Sequence, residues 1–368
     1  MSTDVLAAEL PRIGSAGPRP ARSRGEATQE VASANRTGET RLAESQLAIE
    51  SGTLVVSADG TLAADRIGGA ESLSASGGIR AAVNDLVQLT KPRIVVMILV
   101  TTVATAMIAA GGTVSPQTLL VLLLGTGLVA GSAGGANQIW ERVIDRNMAR
   151  TAGRPLPAGR MSTGLATAFT AWAGTTGTAL LLMRFGAAPA LVGLATWVIY
   201  VFVYTPMKTR TSWNTTVGAV AGALPMLIGY TALGGSLASG TAWLLFGVLA
   251  AWQYPHFMAI AWLYRRQYGQ AGFCMSTTVE PTGLSAAAQS ILGSLAVIGC
   301  GIALCFQSPG YIAASVGSLA VLASTLPMLK ASLRFAAERN DQTARKLLRS
   351  SLLVLPAVLA VVTIRVFW

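Results

Sequence analysis

From residue 94 onward the chain is a succession of apolar stretches separated by short polar breaks. Nine of them centre on residues 94–111, 117–138, 163–183, 187–205, 214–234, 241–262, 286–306, 310–329 and 350–367. Each comes close to the ~20 residues that a helix needs to cross the hydrocarbon core of a bilayer. Gly-Gly, Ser-Pro and Gly-Ser pairs punctuate the turns between them. The pattern predicts an all-α, polytopic membrane protein with nine transmembrane helices. Just ahead of the first span, Ile79, Val83, Leu86 and Val87 recur at helical spacing, which predicts a short interfacial helix. Residues 1–78 are rich in Ala, Ser, Gly, Thr and Glu and show no sustained apolar period. They are expected to form a disordered acidic tail, leaving 79–368 as the membrane domain. The tail does not resemble a signal peptide, because no apolar region follows a basic start. Acidic residues from Asp4 and Glu9 onward argue against an organelle transit peptide.

Composition agrees with the pattern: 52% hydrophobic and 12% charged residues suit a membrane protein and not a soluble domain. Eleven of the 16 acidic residues precede residue 86, leaving Glu141, Asp145, Glu280, Glu338 and Asp341 beyond it, so the formal charge of +11 belongs to the loops of the membrane domain. The basic residues alternate by side. One side carries Lys91, Arg93, the run from Arg142 to Arg160, Lys208, Arg210, Arg265, Arg266 and the run from Lys330 to Arg349. The other shows Arg184 and Arg365. The positive-inside rule then places the N-terminus in the cytoplasm and the C-terminus outside. Orientation in the bilayer accounts for these charges, so nucleic acid is not an expected partner. Cys274, Cys300 and Cys305 lack any metal-binding spacing and are expected to pack as small apolar residues.

Against so few charges, the end of the second span stands out. Asn137, Glu141 and Asp145 lie at i, i+4 and i+8, followed by Arg150, Arg154, Pro155 and Pro157. On a continuous helix rising ~1.5 Å per residue, neighbours in that trio would sit about 6 Å apart on one face. Carboxylates and an amide carbonyl are hard oxygen donors suited to Mg²⁺ holding a substrate phosphate. Arginine forks match phosphate oxygens, and the two prolines end the helix in a turn that can aim them back at the trio. A solvated loop helix with Glu141 paired to Arg142 or Arg146 is the plainer reading. Lys208 and Arg210, after the fourth span, are either membrane anchors or diphosphate contacts. Gly218, Gly222 and Gly229 are expected to permit close helix packing. His256 is the chain's only histidine and lies in Trp252-Gln-Tyr-Pro-His-Phe257 at the end of the sixth span. It is either hydrogen-bonded structure or a contact for a flat macrocycle and its iron. The loops after spans two and six fall on the same face.

These residues together resemble the protohaem IX farnesyltransferase family, within the UbiA-type intramembrane prenyltransferase superfamily. The resemblance covers about residues 86–368. It rests on Leu89-Thr-Lys-Pro-Arg93, Asn137 to Gly159, Tyr204-Thr-Pro-Met-Lys208, Gly218 to Tyr230, Trp252 to Phe257 and Ala271-Gly-Phe-Cys-Met275. It implies nine helices around a central cavity in a bacterial cytoplasmic membrane, with protohaem IX and farnesyl diphosphate as substrates and Mg²⁺ as cofactor. By the same resemblance, Asn137, Glu141 and Asp145 hold the metal. Arg150, Arg154, Lys208, Arg210 and Arg266 bind diphosphate, and Trp252, His256 and Tyr268 contact haem or substrate. A haem A synthase or terminal oxidase assembly factors are the protein partners it suggests. The family usually has an acid just before the tyrosine matching Tyr268, often with a second beside it, as another metal-binding motif. Here those positions are Gln267 and Arg266. Three readings follow: one Mg²⁺ suffices with Arg266 as a phosphate clamp (Gln267 offering at most a carbonyl), Glu280 substitutes, or activity is impaired. The alternatives are a prenyltransferase for a quinone precursor or other aromatic acceptor, and a haem-binding membrane protein with impaired catalysis. A transporter fits less well, since the polar residues gather at one face and not midway across.

Overall fold

Every element of the computed structural model is a helix or a turn among the residues it describes, 75–307 and 309–365. The tail expected over 1–78 therefore lies outside the described residues, apart from its last four positions. In chain order the helices are α1 (Ala75–Leu89), α2 (Pro92–Ala110), α3 (Pro116–Glu141), α4 (Thr163–Phe185), α5 (Ala187–Met207) and α6 (Asn214–Ala232). There follow α7 (Gly240–Leu263), α8 (Arg265–Gln270), α9 (Ser276–Val279), α10 (Leu284–Cys305), α11 (Tyr311–Glu338) and α12 (Asp341–Ile364). Nine of these, α2 to α7 and α10 to α12, are long and apolar enough to cross a membrane. The chain is a multi-pass, all-α membrane protein.

Local chemistry sets the helix ends. Ser115, Ser162 and Ser239 each accept a backbone N–H from the first turn of α3, α4 and α7. Gly186, at φ 86°, makes the one-residue turn between α4 and α5. Asn340 and Thr343 form a capping box that starts α12. That box explains a difference from the hydropathy pattern. The basic run from Lys330 to Arg349 reads as a loop, yet only Arg339 and Asn340 separate α11 from α12. Lysine, arginine, alanine and leucine are good helix formers, and Ala331, Phe335, Ala344 and Leu347 bury one side of the extension. Both helices thus run past the apolar zone.

Consecutive spans pack as neighbours, and α12 returns to touch α2, so the bundle closes. Its outer surface is apolar: Val100, Leu120, Leu182, Leu191, Leu292, Leu319 and Leu353 are exposed. This is the arrangement for a lipid solvent. Exposed Trp213 and Trp243 lie at opposite ends of the spans, where amphipathic rings favour the headgroup region. Inside, small residues let helices meet. A Cβ added at Gly218 would press on the Tyr204 ring, at Gly222 on the Gln253 amide, and at Gly229 on the Thr102 carbonyl.

Candidate active site at the basic end of the bundle

Four segments bring polar groups together at the end where the arginines and lysines gather. They are the α1–α2 junction, the end of α3 with the loop after it, the end of α5, and the loop after α7. Asn137 and Glu141 occupy the last turn of α3, and both are buried. The helix stops at Glu141, so Asp145 is not a third member of one helical stripe. It sits in a separate 3₁₀ turn, Ile144–Asn147, pinned by Thr151 Oγ1 donating to its carbonyl at 2.9 Å. Asp145 is nevertheless fully buried.

Each of the trio faces a cation. Lys208 Nζ donates to Glu141 Oε1 at 2.7 Å, Arg154 Nη1 to Asp145 Oδ2 at 2.6 Å, and Lys91 Nζ to Asn137 Oδ1. The second oxygen of Asp145 is buried and has no hydrogen-bond partner. Thr205 settles the orientation of the Asn137 amide. Its hydroxyl donates to the Tyr200 carbonyl at 2.8 Å, so it must accept from Asn137 Nδ2, 2.9 Å away. The carbonyl oxygen of Asn137 is thereby turned toward Lys91. This bond is possible because α5 widens to a π-helix over Ile199–Tyr204, a local distortion that recurs at functional sites. The same distortion brings the Tyr200 and Tyr204 rings to 5.2 Å from each other, and Lys208 Nζ lies 4.7 Å from the Tyr204 ring centre.

Charge and burial set the protonation of these groups. Burial, reinforced by repulsion from Lys208, pulls Lys91 down to about 7. Burial alone would lower Lys208 too, but the Glu141 carboxylate beside it, with Tyr204 and Tyr200, holds its ammonium above the usual lysine range. Burial lifts the Asp145 carboxyl above its usual range, against the pull of Arg154. Lys91 is in an unusual place for another reason: it adopts φ 57°, ψ 61° immediately before Pro92 starts α2.

The loop after α7 completes the site. Arg150 donates to Tyr268 Oη at 3.1 Å and lies 4.9 Å from the Tyr264 ring centre. Met148, Tyr268 and Phe273 form a small apolar cluster that joins the two loops. Cys274 N donates to the Lys208 carbonyl at 2.7 Å, tying the same loop to the end of α5. Asn137, Glu141, Asp145, Arg150, Arg154, Lys208 and Tyr268 are thus linked in one polar neighbourhood. Arg210 and Arg266 are exposed, and their side chains have no hydrogen bond or ion pair among the described residues. Gln267 is half-buried, and its amide likewise has no partner. Glu280 is committed elsewhere: its oxygens accept from Thr282 and Ser285 at the start of α10, and its carboxyl is lowered first by the Thr282 hydroxyl. His256 and Trp252 form a second group on α7, against Ser351 of α12.

Lys91, Tyr200, Tyr204, Thr205 and Tyr264 join the site without having been singled out as site residues by sequence. The available signal was polarity at the end of an apolar span, with Tyr200 and Tyr204 at i, i+4. Hydroxyls alone in a span are too common to select. As to metal chemistry, the described residues contain no cluster of three His, Cys, Asp or Glu side chains. Two carboxylates, one with an unpartnered buried oxygen, and an oriented amide carbonyl are nonetheless a hard-oxygen set that fits Mg²⁺.

Known proteins supply the wider context. The model of the UbiA prenyltransferase family matches residues 98–353. A protein of Rhodopirellula baltica called protoheme IX farnesyltransferase is 61% identical over 284 residues, covering 76% of this chain and 99% of that protein. One of the same name from Solibacter usitatus is 38% identical, over 74% of this chain and 96% of its own length. The structure of a UbiA homologue from Archaeoglobus fulgidus bound to DMAPP and Mg²⁺ has the same fold. It aligns with a TM-score of 0.57 at 16% identity, over 76% of this chain and 99% of that one. By the extent of these matches, the chain belongs to the UbiA prenyltransferase family.

Proposed function

We propose that this protein transfers a farnesyl group from farnesyl diphosphate to a vinyl group of protohaem IX, giving haem O. The observation that carries this reading is the 61% identity with a relative named for that reaction, across nearly the whole of that relative's length. The arrangement at the basic end supports it. In the reaction the C1–O bond of farnesyl diphosphate breaks, and diphosphate leaves with the electron pair. The terminal vinyl carbon bonds to C1. Water then adds to the adjacent carbon and loses a proton.

Asn137, Glu141 and Asp145 would hold Mg²⁺. Bound there, the metal supplies Lewis-acid stabilisation of the leaving diphosphate. Arg150, Arg154 and Lys208 bind diphosphate oxygens, and Lys91 is near enough to join them. Preorganised cations of this kind stabilise charge that develops on a leaving group. Arg210 and Arg266, exposed at the same end, draw the anionic substrate toward the site over a longer range. With no acid at positions 266 and 267 and Glu280 engaged in a cap, a single metal ion suffices. The apolar bundle beyond the polar end keeps water from the farnesyl cation. Trp252, His256 and Tyr268 contact the haem. The charge pattern supports a bacterial cytoplasmic membrane with the N-terminus in the cytoplasm, the C-terminus outside, and the site at the cytoplasmic face.

Expression in a bacterial host lacking its own haem O synthase, followed by pigment analysis, tests the reading. Farnesylated haem should appear, and Asp145→Asn should abolish it while membrane insertion is unchanged. No new pigment from the wild-type chain, or full turnover in the variant, would defeat it.

A further inference from the structure

Resting on that reading, we infer that Ser351 is a positioning residue: it holds His256 in its Nδ1–H form and so leaves Nε2 free to ligate the iron of protohaem IX. Ser351 is fully buried on α12. Its hydroxyl donates to the Leu348 carbonyl, one turn earlier, at 2.8 Å. With that single proton directed at Leu348, its oxygen can only accept from His256 Nδ1, 3.0 Å away. The imidazole is thereby fixed in one tautomer, and its lone pair is on Nε2. No described residue hydrogen-bonds to Nε2.

The ring is held on other sides as well. Trp252 stacks on it, with centroids 4.7 Å apart and planes 19° from parallel, and Phe257 lies 5.9 Å away. Trp252 is anchored by the same residue, since its Nε1 donates to the Ser351 carbonyl at 2.6 Å. The helix carrying His256 is also braced. A Cβ at Gly293 of α10 would lie 2.7 Å from both the Ala251 carbonyl and Pro255 Cδ, so α10 presses directly on the proline turn. A histidine that merely fills space needs none of this. A donated Nδ1–H with a bare Nε2 is the arrangement by which proteins prepare an imidazole for a metal, and imidazole nitrogen is a haem iron ligand.

The test is titration of the purified full-length protein, in detergent, with ferric protohaem IX, followed by absorption spectroscopy and, after reduction, resonance Raman. Wild type should bind one haem with an imidazole-ligated spectrum. His256→Ala should lose that spectrum and regain it with added imidazole. Ser351→Ala should keep the ligation but weaken haem binding about tenfold. Its iron–histidine stretch should fall, because loss of the Nδ1 hydrogen bond makes the imidazole a poorer donor. An unchanged wild-type spectrum in His256→Ala, or unchanged affinity and stretch in Ser351→Ala, overturns the inference. Farnesylated haem formed by the wild-type chain would still stand in that case, so failure here is distinct from failure of the proposed reaction.

Discussion

Thr205→Val tests how the site is oriented. Valine keeps the shape of threonine and removes only the hydroxyl, which donates to the Tyr200 carbonyl at 2.8 Å and accepts from Asn137 Nδ2 at 2.9 Å. Asn137 is fully buried, and Tyr200 is half-buried. Leaving one such group unsatisfied costs roughly 1–3 kcal/mol. The Tyr200 carbonyl still accepts from the Thr205 backbone N–H, so the cost falls on the amide, which can now flip and present Nδ2 where the carbonyl oxygen faced Lys91. If Asn137 Oδ1 is a metal ligand, loss of this support should weaken Mg²⁺ about 10–100-fold, as removal of an outer-shell partner does elsewhere. That range is about 1.4–2.7 kcal/mol, within what the lost bonds can supply. The assay is farnesyl transfer at saturating organic substrates with Mg²⁺ varied, beside a thermal unfolding curve. Thr205→Ser, which retains the hydroxyl, should restore wild-type Mg²⁺ dependence. A Thr205→Val enzyme whose half-saturating Mg²⁺ is unchanged would refute the reasoning, whatever its melting temperature.

Three further outcomes are expected. Lys208→Met leaves Glu141 buried without its 2.7 Å partner and should cost about 3–5 kcal/mol of stability in thermal unfolding. A loss under about 1 kcal/mol, the scale of exposed pairs, would mean that Glu141 has other support. On the one-metal reading Gln267→Asp should leave the rate and the Mg²⁺ dependence unchanged in a Mg²⁺ titration, and a raised rate or sharper dependence would mean that a second ligand is missing there. Lys91 is held at about 7 in the folded protein against 10.5 for an ordinary lysine. Between those values the unfolded chain binds the proton that the native protein has released, so this residue's contribution to stability rises with pH through that window. Wild type should therefore gain in melting temperature on Lys91→Met as pH climbs above about 7, and a constant difference would contradict the assignment.

The spans were legible because their signal is additive: some twenty apolar residues in a row outweigh any local exception. Charge asymmetry placed both chemical loops on one face for the same reason. What sequence lost was pairing. Asp145 is four residues beyond Glu141, and spacing alone extended α3 through it. The helix stops at Glu141, and Asp145 finds burial in a 3₁₀ turn of its own. Glu280 looked free to replace a missing ligand, yet its oxygens cap α10 through backbone N–H groups that no side-chain pattern reveals. Thr205 and Tyr200 were hidden in an apolar span, and their importance comes from a π-helix that hydrophobic periodicity cannot register. Arg150 and Tyr268 are 118 positions apart and meet only because two loops fold onto one another.

The charge balance of the site bears on why lysine and arginine pair with its carboxylates and amide. Two carboxylates, Glu141 and Asp145, face Lys91, Arg154 and Lys208 in a buried setting, so the cluster has more cations than anions to match them. Burial makes such an excess costly, and Lys91 bears the strain, being pulled to about 7 while Lys208 is held firmly charged. A magnesium diphosphate ester brings a small net negative charge and relieves it. On the proposed reading, Glu141 and Asp145 would hold the metal while Lys208 and Arg154 turn to the phosphate oxygens, so that each side chain exchanges one opposite charge for another without being left bare. The two acids with no cations would bind metal tightly but repel diphosphate. Cations alone would hold diphosphate without the metal that helps it leave. Pairing the two kinds of group in advance keeps the buried site tolerable without substrate and makes each half of the incoming complex favour the other.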